Sequence, residues 1–320
     1  MNVTTKERPG RRRRRNTTGI SDNVNAAAGM QLAPAHGTRL RRIAQPHYLL
    51  LLPGVALLVA AFFYPVILLV KTSFTDPHPG FGNYTSLFSN PSATHALTRT
   101  VIAALIVSAC CLVLAYPFAY MMTLVRPAIR TLMFVVVTLP FWTSIIARTF
   151  AWLVLEERGG LIEDFLSFFG LKNVVLLGTV PGVVVAMVQI MLVYMVFPLY
   201  SVMNSIDRRL LSAAHVCGAN RAYAFFRVYV PLTLPGISAG VSLVFLLTLG
   251  FYVTPVLLGS SHDALIAQVI GAEVNELYDF PAASAYSVIL LVVMLVMLGV
   301  LLRGIRLMAG GRASRGAVEQ

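Results

Sequence analysis

Six long apolar stretches, separated by loops that alternate between cation-rich and cation-poor, restrict this 320-residue chain more than any other feature. They lie near Pro46–Val70, Thr100–Val125, Thr131–Leu155, Leu177–Ile206, Gly236–Leu258 and Ala282–Leu302. Each reaches or exceeds the roughly 20 residues that a helix needs to cross a bilayer. An open chain in lipid satisfies its backbone groups by coiling into helices. The expectation is an all-α membrane protein with six transmembrane helices. Composition agrees, because only 12% of the residues are charged, against about a quarter in soluble domains. The fourth stretch is longer than a crossing needs and holds Pro181 and Pro198, so it is expected to tilt, kink or begin outside the membrane.

The loops give the sidedness. Ten of the 25 Lys and Arg precede the first stretch, including the run Arg11 to Arg15. Arg126 and Arg130 lie in the second loop, Arg208, Arg209, Arg221 and Arg227 in the fourth, and Arg303, Arg306, Arg312 and Arg315 after the last stretch. The other loops hold only Lys71, Arg99, Arg158 and Lys172. This alternation places both termini in the cytoplasm. The basic amino-terminal tail has no aromatic residues among its arginines, which argues against nucleic-acid binding. It is too polar to bury a core and is expected to be disordered. The first apolar stretch outruns a signal-peptide core, so it is expected to remain as a span.

The carboxylates fall mostly on the opposite side, at Asp76, Glu156, Glu157, Glu163, Asp164, Asp263, Glu273, Glu276 and Asp279. They either attract a cationic solute or basic partner, with Glu276 and Asp279 as candidates, or simply solvate loop ends. The central membrane zone carries no Asp or Glu, which disfavours an ion-coupled transporter. Arg148 lies within the third stretch. It either lines or gates the solute path, or it snorkels outward or pairs with an outer carboxylate such as Glu156. The chain has no phosphate loop, GxSxG elbow or HExxH. Cys110, Cys111 and Cys217 show no metal-binding spacing. The expectation is therefore no enzyme, no catalytic residues, no metal and no cofactor held by this chain.

The fourth loop, from Ile206 to Pro231, is long for a turn and has helical character. Asp207 is placed to cap a short helix presenting Leu210, Leu211 and Ala214. Gly218 permits a sharp turn or a close backbone approach. Asn220 is placed to cap a second helix through Val228, which Pro231 helps to end. Spacing leaves two readings open, a protrusion that fills a partner's groove or an amphipathic hairpin on the lipid surface.

Ser212-Ala213-Ala214, Gly218, Val228 and Pro231 resemble the loop pattern EAA, three residues, Gly, nine residues, I-x-L-P. That pattern marks permease subunits of binding-protein-dependent ABC importers. The resemblance covers most of the chain from about Tyr48 and is closest to spermidine/putrescine-type permeases. Supporting segments include Asn83-Tyr84-Thr85, Tyr116-Pro117-Phe118-Ala119, Leu139-Pro140-Phe141-Trp142-Thr143 and Val253-Thr254-Pro255-Val256-Leu257-Leu258-Gly259. Permeases for ferric iron, opines and other solutes share much of the pattern. The chain departs from it where Ser212 replaces the usual Glu, Val216 a frequent Asp and Cys217 a common Leu.

The resemblance implies a permease domain over residues 46–305 in the bacterial inner membrane, flanked by cytoplasmic tails at 1–45 and 306–320. It implies a coupling helix between spans four and five that docks two ATP-binding cassette subunits, which consume the ATP. It also implies a second, homologous permease chain and an extracytoplasmic solute-binding protein. Trp142, Arg148 and Tyr252 are the candidates for the solute path, which for this subfamily would carry a polyamine such as putrescine or spermidine. Trp142 and Tyr252 equally suit interfacial belt positions, and an unpaired Arg148 would repel a polyamine.

Overall fold

The computed structural model describes residues 46–76, 79–168, 170 and 175–313. The basic amino-terminal tail, Lys172, and the carboxy-terminal residues from 314 lie outside the described residues. Every regular element among the described residues is helical. In chain order these are α1 (Pro46–Thr75), α2 (Gly82–Ser89), α3 (Pro91–Leu124), α4 (Pro127–Thr138), α5 (Ile145–Glu156), α6 (Leu161–Phe168) and α7 (Val180–Ser205). They continue with α8 (Arg209–Val216), α9 (Arg221–Ala224), α10 (Val230–Leu249), α11 (Val253–Leu258), α12 (Ile266–Asn275) and α13 (Phe280–Ala313).

Five helical runs are long and apolar enough to cross a membrane, namely Leu52–Thr75, Pro91–Leu124, Val180–Ser205, Arg221–Leu249 and Phe280–Gly304. A sixth crossing exists if the bent pair Pro127–Trp142 and Ile145–Glu156 counts as one span. The chain is a multi-pass membrane protein. It divides into two compact units, residues 1–62 and 63–320. The described part of the first unit is a single apolar helix with Leu52, Val55, Leu57 and Leu58 exposed.

In the second unit, α3, α7 and α10 pack together as the core. Lipid tails are as apolar as side chains, so close packing replaces the hydrophobic effect as the force between spans. The sequence supplies that packing with small residues. α3 buries Ala93, Ala96, Ala103, Ala104, Ala115 and Ala119. On α10, a Cβ at Gly240 would come within 2.6 Å of Met195 Sδ, and one at Gly236 within 3.0 Å of Val202 Cβ. Along α7, Met187, Met191, Met195, Leu199 and Met203 recur every fourth residue and are all buried. That spacing stacks them on one helix face, where flexible thioethers fill the gaps left by the small residues. Outward-facing Val113 and Val300 are well exposed, as lipid-facing residues should be.

Several boundaries differ from the sequence reading. The third stretch is not one helix, because α4 and α5 meet at 97°. Pro140 has no N–H to continue the helical ladder. The chain tightens into a 3₁₀ turn over Leu139–Trp142, and Thr143 is then extended. Thr143 closes the elbow by donating both its N–H (3.3 Å) and its hydroxyl (2.7 Å) to the Pro140 carbonyl. The fifth stretch is displaced toward the amino terminus. Its helix runs on from the fourth loop and stops at Gly250, leaving Val253–Leu258 as the separate α11. The last helix continues beyond residue 305 to Ala313. Pro181 starts α7 rather than kinking it, with Thr179 as its cap.

The segment Asn83-Tyr84 locks the end of α1 to α2. Asn83 donates to the carbonyls of Ser73 (3.1 Å) and Asp76 (2.7 Å). Tyr84 bonds Ser73 and packs against Phe74.

Candidate functional site

The fourth loop folds into two short helices joined by a tight turn. Asp207 Oδ1 accepts from Arg209 N at 2.9 Å, which starts α8. The helix ends in a closed cap. Gly218 N–H donates to the His215 carbonyl and Ala219 N–H to the Ala214 carbonyl, both at 3.0 Å. These are the two bonds of a Schellman motif. Gly218 holds φ +86°, and nothing lies within 4 Å of where its Cβ would be. Backbone conformation, not crowding, therefore demands glycine here. Asn220 Oδ1 then accepts from Tyr223 N at 2.7 Å and caps α9.

Pro231 does not end the second helix. It sits in a helical run that continues into α10. The preceding turn, Phe225–Tyr229, is a π turn in which Val230 N–H reaches back to the Phe225 carbonyl. Proline cannot donate to the residue four before it, and the widened turn accommodates that loss.

The loop presents a definite face. Ser212, Ala213, Val216 and Cys217 are exposed, Ala214 and Val228 are half-buried, and Leu211 packs into the core. Val216 is 88% exposed. A small-residue surface carrying one large apolar side chain is suited to entering a partner's groove.

The loop is fastened to the last turns of α3 at both ends. The Arg208 guanidinium donates to the Thr123 carbonyl. Phe225 and Tyr229 stack at 5.5 Å, and Tyr120 packs edge-on against both at 5.4 and 5.2 Å. Tyr116 adds an edge contact to Phe225 at 6.3 Å and a hydroxyl bond to Thr233 at 3.2 Å. The sequence reading missed this cluster. Its trace was a pair of aromatics four residues apart in each segment, a spacing that puts both on one helix face.

The path candidates lie on separate elements. Trp142 is 82% exposed at the α4–α5 elbow. Arg148 is half-buried on α5, which is joined to α11 by the Thr149–Thr254 hydroxyl pair at 3.2 Å. Tyr252 follows α10 and lines a pocket of about 370 Å³ with Gly250, Ile270, Gly271 and Asn275. The Arg148–Glu156 pair does not form. Arg148 Nε and both carboxylate oxygens of Glu156 are buried without hydrogen-bond partners among the described residues. The two residues lie on one helix eight positions apart, about 12 Å along its axis.

Structural duties occupy part of the acidic set. Asp263 pairs with Arg99 at 3.4 Å, and Glu163 accepts from Gly159 N at 2.8 Å. Asp279 Oδ1 accepts from Ala282 N at 2.9 Å, capping α13. Glu276 is exposed. Burial, then the Asp279 charge, raises the Glu273 carboxyl above the usual carboxylate range.

The family described as binding-protein-dependent transport system inner membrane component matches residues 112–309. The spermidine/putrescine transport system permease protein PotB of Escherichia coli (strain K12) is 34% identical over 264 residues, covering 79% of this chain and 96% of that protein. PotB of Haemophilus influenzae is 36% identical over 228 residues, covering 71% of this chain and 79% of that protein. A bacterial alginate ABC transporter, solved in complex with its alginate pentasaccharide-bound periplasmic protein, contains a chain of similar fold. Its TM-score is 0.65 at 21% identity, covering 82% of this chain and 94% of that one.

Proposed function

This chain belongs to the family of binding-protein-dependent transport system inner membrane components, and on that premise we propose that the solute it carries is a polyamine such as spermidine or putrescine. It is a permease subunit of an ABC importer. The polyamine reading draws on its identity to the PotB permeases over most of its length.

In the proposed mechanism, α8 is the coupling helix that docks a separate ATPase. This chain holds no cofactor, and the ATPase pair binds and hydrolyses ATP. The observation that carries this reading is the capped α8, which exposes Ser212 and Ala213 while Leu211 anchors it to the core. Closure of the ATPase pair displaces α8. A second, homologous permease completes the path, and an external solute-binding protein delivers the solute. Nucleotide and loaded binding protein must each favour a different state of the same spans for the two to be coupled. Both termini lie in the cytoplasm, as the loop cations indicate.

The test is co-purification and transport. The complete complex in liposomes should take up labelled spermidine only with ATP and the binding protein present. Gly218→Val places a β-branched residue in the left-handed region and should weaken ATPase retention. Retention and uptake equal to the parent would remove α8 as the docking element. Spermidine uptake that fails while another solute is carried would overturn only the polyamine assignment.

A further inference from the structure

We propose that Tyr116 and Tyr120 of α3, together with Phe225 and Tyr229 of the π turn, form an aromatic clamp that carries displacement of α8 into the core spans. This proposal rests on α8 being the ATPase-docking helix.

The loop needs such a device. If α8 were held only by flexible connections, its displacement would be absorbed by rotations in those connections before reaching the membrane. The structure instead attaches the loop to α3 at two points. At the front, Arg208 donates to the Thr123 carbonyl. At the back, Phe225 is enclosed by Tyr120, Tyr229 and Tyr116, with ring centroids 5.4, 5.5 and 6.3 Å away. Tyr229 and the neighbouring Ala224 are buried. The Tyr116–Thr233 bond extends the attachment into α10, where Thr233 is also held by the Val230 carbonyl at 2.8 Å. The docking loop, the end of α3 and the start of α10 are therefore one packed body.

The π turn sets the register of the joint. Pro231 has no N–H to offer the Arg227 carbonyl, and the Val230 N–H bonds the Phe225 carbonyl five residues back. That register keeps Phe225 and Tyr229 stacked at an interplanar angle of 19°, with Tyr120 edge-on to both. Edge-to-face and offset packing are the favourable arrangements for such rings. The four aromatics are positioning residues, because they act through α8 and the spans.

The clamp is tested in the complete transporter in liposomes, with spermidine uptake and ATP hydrolysis measured on the same vesicles. Phe225→Leu and Tyr120→Leu should retain the ATPase subunits at the parental ratio. Uptake per ATP hydrolysed should fall by about fivefold or more, the low end of common coupling factors. Phe225→Tyr should keep the parental ratio.

A second arm covers the case in which the leucine variants do not assemble. In a background with Cys110, Cys111 and Cys217 replaced by alanine, Tyr120→Cys/Phe225→Cys should be uncoupled. Bridging the pair with a short bis-maleimide should restore uptake per ATP. Parental coupling in the leucine variants, or no recovery on bridging, would overturn the clamp. An unmutated complex that retains no ATPase would instead overturn the docking reading on which it rests.

Discussion

Glu156 Oε2 lies 2.6 Å from the position a Cβ on Gly182 would occupy, and the Leu176 carbonyl closes on the same point. The carboxylate is 4% exposed and neither oxygen has a hydrogen-bond partner among the described residues. Gly182 is thus needed for space at the start of α7. Gly182→Ala is predicted to destabilise the protein by about 1–3 kcal/mol, as overpacking does. The expected readout is a lower Tm in detergent. Glu156→Gln keeps the shape and replaces a buried carboxylate that has no hydrogen-bond partner among the described residues, so it should leave Tm equal or higher. A marked fall in the Gln variant would show that the carboxylate has a partner after all.

Asp279 offers a clean separation of cap from charge. Asp279→Ala removes the acceptor for Ala282 N and should cost about 1 kcal/mol. Asp279→Asn preserves the acceptor and removes the charge beside Glu273, so it should leave Tm equal or higher and solute uptake at the parental level. An Asn variant of normal stability that lost uptake would instead give the negative charge a role in transport.

Glu273 predicts a pH response of defined sign. Its folded-state pKa is raised, by burial first and by Asp279 second. A raised folded pKa means the folded protein holds the proton more tightly than the unfolded chain. The stabilisation is therefore complete below the ordinary carboxylate range and is lost as pH rises through the raised value. Glu273→Gln should be more stable relative to the parent at neutral pH, and that advantage should vanish in acid. The same advantage at every pH would contradict the assignment.

Gly271 controls the ring of Tyr252. A Cβ at Gly271 would come within 2.5 Å of Tyr252 Cε2, so Gly271→Ala must displace the ring. If Tyr252 contacts the solute in its pocket, Gly271→Ala should raise KM for the transported solute by about tenfold, a loss of roughly 1.4 kcal/mol. ATPase retention should stay normal. An unchanged KM would take Tyr252 off the path.

Much of the fold was legible because lipid leaves the chain few options. The apolar stretches and the loop cations depend on local composition, and the caps at Asp207 and Asn220 on adjacent residues. All of these could be read in order along the chain. The break at Pro140 was harder, since a proline in a span is compatible with a kink, a helix start or a full elbow. Pro181 and Pro231 show the ambiguity, as one starts α7 and the other sits inside a continuous run after a π turn.

Residue order therefore dictated an α-helical membrane protein with a capped helical loop before its fifth span, because bilayer thickness, backbone hydrogen bonding and helix capping act over short lengths of chain. Packing settled which small residues face each other, that Glu156 and Arg148 remain apart, and that Phe225 meets Tyr120 from more than 100 positions away. Those outcomes depend on which helix faces meet, and an apolar span carries too little contrast between its faces to announce its neighbours.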